Sequence, residues 1–194
     1  MSAYPANLIE ALRAEPGLKL SQRATKDAQW WPADAPQDKK AAEKRMDELA
    51  PLLSELQERL FAASVSGGTA PAVLLMLQGM DTSGKGGIVR HVLGMLDPQG
   101  VEHHAFKAPT EEEAAHDFLW RITKQLPAGG LVGVFDRSHY EDVLVAKVKG
   151  YASPAVIESR YGKIVDFEKQ LLEQEILPIK VMLHISREEQ YERL

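Results

Sequence analysis

The stretch Gly79-Met80-Asp81-Thr82-Ser83-Gly84-Lys85 has the spacing glycine, four residues, glycine, lysine. Residues of these types at this spacing capture phosphate. The glycines let the backbone curl so that successive N–H groups point inward, and a following helix adds the positive end of its dipole. Lys85 supplies a mobile positive charge for a phosphoryl group in transfer, whose transition state is stabilised mainly by positioning and electrostatics. The plainer alternative is a glycine-rich strand-to-helix turn with a solvent lysine. The Ser or Thr that usually follows the lysine and binds Mg²⁺ is Gly86 here, followed by Gly87. A metal therefore needs another ligand. Asp81 is the candidate, because a carboxylate beside bound phosphates is repelled unless a cation lies between them; a helix-capping aspartate is the alternative.

A second half of such a site is expected from the apolar run Leu131 to Phe135, which ends in Asp136-Arg137-Ser138-His139-Tyr140. Asp136 would sit at the carboxyl end of a buried parallel strand, where a second metal-binding acid belongs. Arg137 at the same strand mouth suits bidentate hydrogen bonding to phosphate. A surface Asp–Arg pair closing the strand is the alternative.

Both groups need a sheet to hold them. Short apolar runs at Ala72 to Gln78, Val101 to Lys107, Leu131 to Asp136 and Ile179 to Ile185 alternate with helical segments, which predicts parallel strands in an α/β fold. Helix starts are marked by Thr110 with Glu113, Ser186 with Glu189, and Ser153-Pro154. Ahead of the sheet, Met46, Leu49, Leu52, Leu53, Leu56 and Leu60 recur at helical spacing and predict an amphipathic helix over Lys39 to Ala62, then a loop from Ser64 to Pro71. Residues 1–38, with Trp30-Trp31, read as an arm packed on the body. The expected architecture is a P-loop kinase-like three-layer α/β/α core over 71–194, with an N-terminal helical extension over 1–70.

The chain has 194 residues, no cysteine and a formal charge of −5. The absence of cysteine excludes disulfides and thiolate metal sites. The acidic balance argues against a nucleic-acid partner that needs a broad basic face. With no long apolar run or leader-like N-terminus, a cytoplasmic location without membrane contact is expected. The chain stops in "SREEQYERL" with no helix terminator, so a continuation is expected.

The strings LQGMDTSGKGG (77–87), FKAPTEEEAAHDFLWR (106–121), FDRSHYEDVLV (135–145) and HISREEQYERL (184–194) resemble the polyphosphate kinase 2 family, over most of the chain. The resemblance implies phosphoryl transfer between inorganic polyphosphate and a nucleotide. The RSHYEDVLV form resembles the branch that accepts nucleoside mono- and diphosphates, hence AMP and ADP, with ADP and ATP as products. It implies that Asp81 and Asp136 hold Mg²⁺ or Mn²⁺, that Lys85 and Arg137 contact the phosphates, and that Lys107 and Arg121 hold the phosphate chain or the acceptor. Gly79, Met80, Thr82, Ser83, Gly84, Gly86, Gly87, Ser138 and Glu141 complete the expected binding set. A homo-oligomer and a helical lid carrying arginines beyond the present terminus are further expectations. Two other readings of the same loop are an ATP-dependent kinase of a small metabolite or nucleotide, and a non-catalytic nucleotide or polyphosphate sensor.

Other residues are read more plainly. Adjacent side chains on a strand point to opposite faces, so His103 and His104 do not share a metal. Glu111-Glu112-Glu113 suits the start of a helix by its dipole. Ile157, Tyr161, Ile164, Val165, Leu171 and Leu172 fall on one side of a predicted helix, as core or as a subunit contact.

Overall fold

A computed structural model describes residues 6–23, 25, 31–33, 35–67 and 69–194. Trp30 lies outside the described residues. In the arm, helix α1 spans Ala6–Leu12 and the Trp31 indole N–H donates to the Pro36 carbonyl at 2.9 Å.

The predicted apolar runs become four strands, β1 Ala72–Gly79, β2 Val101–Ala105, β3 Val132–Asp136 and β4 Ile176–Leu183. All pairings are parallel, in the order β2-β3-β1-β4, and helices cover both sides. β1 is central, and its Leu74, Met76 and Leu77 are fully buried. Its even-numbered side chains meet Phe106, Ile122, Phe135, Phe167, Leu171 and Ile176 in one core cluster. Burying each such side chain is worth roughly 1.5–3 kcal/mol, so this cluster fixes where β1 and β3 end.

β4 starts three residues before the run predicted from Ile179. Pro178 lies inside it, opposite Leu74. Proline reads as a strand breaker, but among the described residues β4 pairs only with β1, and an edge strand has a side on which the missing N–H costs no ladder bond.

Helix α2, Lys39–Val65, runs three residues past its predicted end into the expected loop, and is capped by Asp38 Oδ1, which accepts from Ala41 N at 2.7 Å. Its buried residue is the polar Gln57, whereas Leu52 and Leu56 are exposed. Gln57 Oε1 accepts from Asp97 N at 3.0 Å and ties α2 to the turn that leads into β2.

After the glycine loop, α3 is only Lys85–Ile88, and the chain continues as a π-helical turn over Val89–Leu93. A glycine pair is a weak helix former, and single π turns recur beside functional sites. Beyond β2 come α4, Glu111–Ala114, and α5, Trp120–Thr123. The Thr110 capping box is complete, with Glu113 N donating to Thr110 Oγ1 at 3.2 Å and Thr110 N donating to Glu113 Oε2 at 2.8 Å.

α6, Glu141–Lys149, follows β3, and α7, Pro154–Glu173, starts with Val156 N donating to Ser153 Oγ. The apolar stripe of α7 divides: Ile157, Ile164, Phe167 and Leu171 are buried, whereas Tyr161, Val165 and Leu172 are exposed. Helix α8, Arg187–Glu192, is capped by Ser186, whose Oγ accepts from Glu189 N at 3.1 Å. Among the described residues no helix is long and apolar enough to cross a membrane.

A β-carbon at Gly100 would lie 1.7 Å from Gln57 Nε2. Gln57 is held by its bond to Asp97 and cannot retreat freely. Gly100→Ala should therefore lower stability by about 1–3 kcal/mol. Combining it with Gln57→Ala should cost less than the sum of the two single changes in urea unfolding, because the second change removes the clash.

Candidate active site

The parallel register sets Leu77 of β1 opposite Asp136 of β3 and Ala105 of β2 opposite the same residue. Three strands thus end side by side. The loop after β1 and the turn after β3 open into one cleft of about 460 Å³, within the range of small-molecule sites. Asp81, Thr82, Ser83, Gly84, Lys85, Gly86, Lys107, Asp136 and Arg137 line it, as expected from the sequence, together with Ala105 and Phe106, which were not singled out. Gly79, Met80, Gly87, Arg121, Ser138 and Glu141 are not part of its wall.

The loop's shape is specified by backbone geometry. Gly84 sits at φ 105°, and a β-carbon at Gly79 would press to 2.5 Å from Ser83 Oγ and 2.9 Å from the Leu183 carbonyl. Thr82 and Arg137 hold φ of 65° and 66°, which non-glycine residues keep only where their surroundings enforce it. Arg137 N donates to the Leu77 carbonyl at 2.9 Å, so the β3 turn is stitched to β1.

The charged groups compensate one another. Arg137 Nη2 lies 2.6 Å from Asp81 Oδ1, in a pair 38% and 72% exposed. Asp81 does not cap α3; the N-cap residue is Gly84, without a side-chain bond. Lys85 is buried and donates to the carbonyls of Gly79 at 2.8 Å and Met80 at 3.1 Å. Asp136 Oδ1 and Ser83 Oγ are buried without a hydrogen-bond partner. Among the described residues no group of three or more His, Asp or Glu converges as a metal cage. Two carboxylates facing a cleft suit Mg²⁺, which is commonly held by one or two carboxylates and completed by phosphate oxygens and water.

Glu141 stands behind this wall at the start of α6. Burial raises its pKa, Arg137 and Lys85 oppose that rise, and Asp81 adds to it. With its nitrogen facing Glu141, the Gln78 carboxamide donates to Glu141 Oε1 at 2.9 Å and accepts from Ser138 N and Oγ. A glutamine in the apolar run LLMLQG was a signal for this support.

Arg121, expected in the binding set, does not line this cleft. It is buried, donates from Nη1 to the Lys107 carbonyl at 2.9 Å, and lies 3.5 Å from Glu113 and 3.9 Å from Asp142. It braces the backbone of Lys107 from behind, because its guanidinium is already enclosed by a carbonyl and two carboxylates.

A second support secures His139-Tyr140, two and three residues after Arg137. Tyr140 Oη donates to Glu168 Oε1 of α7, Lys180 Nζ of β4 donates to Glu168 Oε2 at 2.6 Å, and His139 Nε2 stands 3.5 Å from the same carboxylate. Burial and the Glu168 hydrogen bond push the Tyr140 phenol up to about 12. Burial alone would raise Glu168, but the neighbouring His139 and the donors Lys180 and Tyr140 outweigh it and hold the carboxyl at about 2.

Comparison with known proteins follows the same lines. The family model for Polyphosphate kinase 2 matches residues 36–194. An AMP/ADP-polyphosphate phosphotransferase of Meiothermus ruber is 42% identical over 156 residues, covering 80% of this chain and 57% of that protein. An ADP-polyphosphate phosphotransferase of Rhodopseudomonas palustris is 39% identical over 157 residues, covering 73% and 51%. The crystal structure of Polyphosphate Kinase 2 from Arthrobacter aurescens TC1 superposes with a TM-score of 0.85 at 50% identity, over 95% of this chain and 64% of that one. The chain spans about half the length of these curated relatives.

The Glu168 support generates a pH test. Its folded pKa lies below the ordinary 4.5, so its stabilisation is present above pH 4.5 and is lost as pH falls towards 2. Glu168→Gln should be less stable than the parent at neutral pH. In denaturant unfolding the difference should shrink across that acid window.

Proposed function

The chain belongs to the polyphosphate kinase 2 family, and on that premise we propose that its cleft moves a phosphoryl group between inorganic polyphosphate and a nucleotide, with AMP and ADP as favoured acceptors and ADP and ATP as products. The observation that carries this reading is the meeting of two cations, Lys85 and Arg137, with two carboxylates, Asp81 and Asp136, on one cleft at the ends of β1 and β3. The names of the Meiothermus and Rhodopseudomonas relatives support the substrates.

The side chains divide the work. The backbone N–H groups of residues 82 and 84–86 cradle a phosphate, and Lys107, which also lines the cleft, extends the positive surface. An incoming phosphate replaces Asp81 as the partner of Arg137. Exposed ion pairs are worth about 0–1 kcal/mol, so this exchange costs little. Lys85 turns from the loop carbonyls to the phosphoryl group in flight. The acceptor oxygen of a nucleotide phosphate is already ionised, so transfer is direct and in line, without a general base or covalent enzyme intermediate. Asp81 and the unpartnered Asp136 Oδ1 would hold Mg²⁺ or Mn²⁺, which when bound neutralises charge on the phosphates. The exposed Tyr161, Val165 and Leu172 on α7 support a homo-oligomer.

The test is turnover by the full chain with AMP or ADP as acceptor, Mg²⁺, and either polyphosphate or ATP as donor. Polyphosphate-driven turnover that stops in excess EDTA is expected. Turnover from ATP alone would replace this reading with that of an ATP-dependent kinase, and tight binding without turnover would replace it with that of a sensor. Lys85→Ala and Arg137→Ala should each lower turnover by about a thousandfold or more, the scale of an arginine placed on a transferring phosphate. A β-carbon at Gly86 meets nothing within 4 Å, so a serine fits there. Asp81→Asn should lose metal-dependent turnover, and adding Gly86→Ser should restore part of it by returning the hydroxyl ligand.

A further inference from the structure

A backbone nest can turn its N–H groups inward only if its carbonyls turn outward and find donors. From Gly79 to Thr82 every carbonyl has one. Gly79 and Met80 accept from Lys85 Nζ, and Met80 also accepts from Ser83 N at 3.1 Å. Asp81 accepts from Gln190 Nε2 at 3.1 Å, and Thr82 accepts from Arg193 Nη1 at 3.1 Å. Thr82 Oγ1 donates in return to the Gln190 carbonyl at 3.4 Å. The second half of the loop is therefore held by α8 and the residue after it, 109 and 111 positions downstream. Arg193 is itself aimed by Glu189, whose Oε1 accepts from Arg193 Nε at 2.7 Å.

Two features show that this hold is needed. Thr82 keeps a left-handed φ of 65°, a conformation that must be enforced from outside the residue. Lys85, the other donor to the loop, is the group that must leave those carbonyls when a phosphate arrives. The bonds from Gln190 and Arg193 go to carbonyls on the outer side of the loop, so phosphate in the nest does not compete for them.

We infer that Gln190 and Arg193 are positioning residues that hold the loop in its phosphate-accepting shape through the Asp81 and Thr82 carbonyls, so that anion binding in the loop and docking of α8 strengthen each other. The inference rests on the reading of the loop as a phosphate cradle, and it gives the HISREEQYERL string a role. Reciprocity is required: if α8 docking tightens anion binding, a bound anion tightens α8 docking by the same factor.

The experiment uses the full chain as parent, Gln190→Ala, Arg193→Ala and Arg193→Lys. Amide hydrogen exchange of residues 80–85 is measured without ligand, and binding of tripolyphosphate by calorimetry. Each alanine variant should exchange faster at the loop and bind about two- to tenfold more weakly, the scale of one lost hydrogen bond. Melting should be unchanged, because α8 contributes no buried residue. Gln190→Ala alters no charge, so its weaker binding would separate positioning from simple attraction, and Arg193→Lys should recover part of the protection. Unchanged loop exchange and affinity in both alanine variants would overturn the inference. So would faster exchange spread evenly over the chain with a lower melting temperature. If the parent fails to bind tripolyphosphate while the variants still loosen the loop, the phosphate reading falls and the hold of α8 on the loop stands.

Discussion

The parallel pairing of β1 with β3 is the constraint on which the rest depends. With Leu77 opposite Asp136, both strands stop at the same height, and Arg137 N donates to the Leu77 carbonyl. A slip of one residue would turn Asp136 to the other face of the sheet. The register is fixed by Leu74, Met76 and Phe135 in the core, so apolar burial immediately behind the strand ends decides where the charges meet.

The ion pairs around the cleft fall into two classes by burial. Arg137 with Asp81 is exposed, weak and open to exchange. Arg121, enclosed by the Lys107 carbonyl, Glu113 and Asp142, is buried, and removing one member would strand the others without compensation. Burial raises the Asp142 pKa against the pull of Arg121 and Arg160, so desolvation outweighs ion pairing at that carboxyl. The movable charges therefore face the cleft, and the fixed ones stand behind it.

Legibility in the sequence follows the same division. The glycine loop, the acid and arginine at the end of β3, and the capped starts of α4 and α7 are local patterns, and each lies where its spacing put it. The groups whose partners the sequence does not show act across long separations. Arg121 carries no local sign that its partners would be a carbonyl fourteen residues back and two carboxylates. Glu168 and Lys180 are ordinary surface residue types until folding brings them to Tyr140. Gln57 is a polar residue in an amphipathic helix, and only the bare backbone of Gly100 makes room for it. Pro178 hid the start of β4 because a local rule about proline does not know which strand is at the edge.

Gly86 links the sequence peculiarity to the proposed chemistry. Without a hydroxyl after Lys85, the proposed metal role would fall to Asp81, the same carboxylate that pairs with Arg137. One carboxylate then has two competing cations, the metal and the guanidinium. A metal held by Asp81 would leave Arg137 without that partner, and the nearest compensation for its charge would be a phosphate in the loop beside it. A polyanion entering without metal would instead meet Asp81 still charged and add repulsion at short range. On that reading, one glycine in the loop would couple metal and phosphate binding, and it would account for an acid among groups that bind anions.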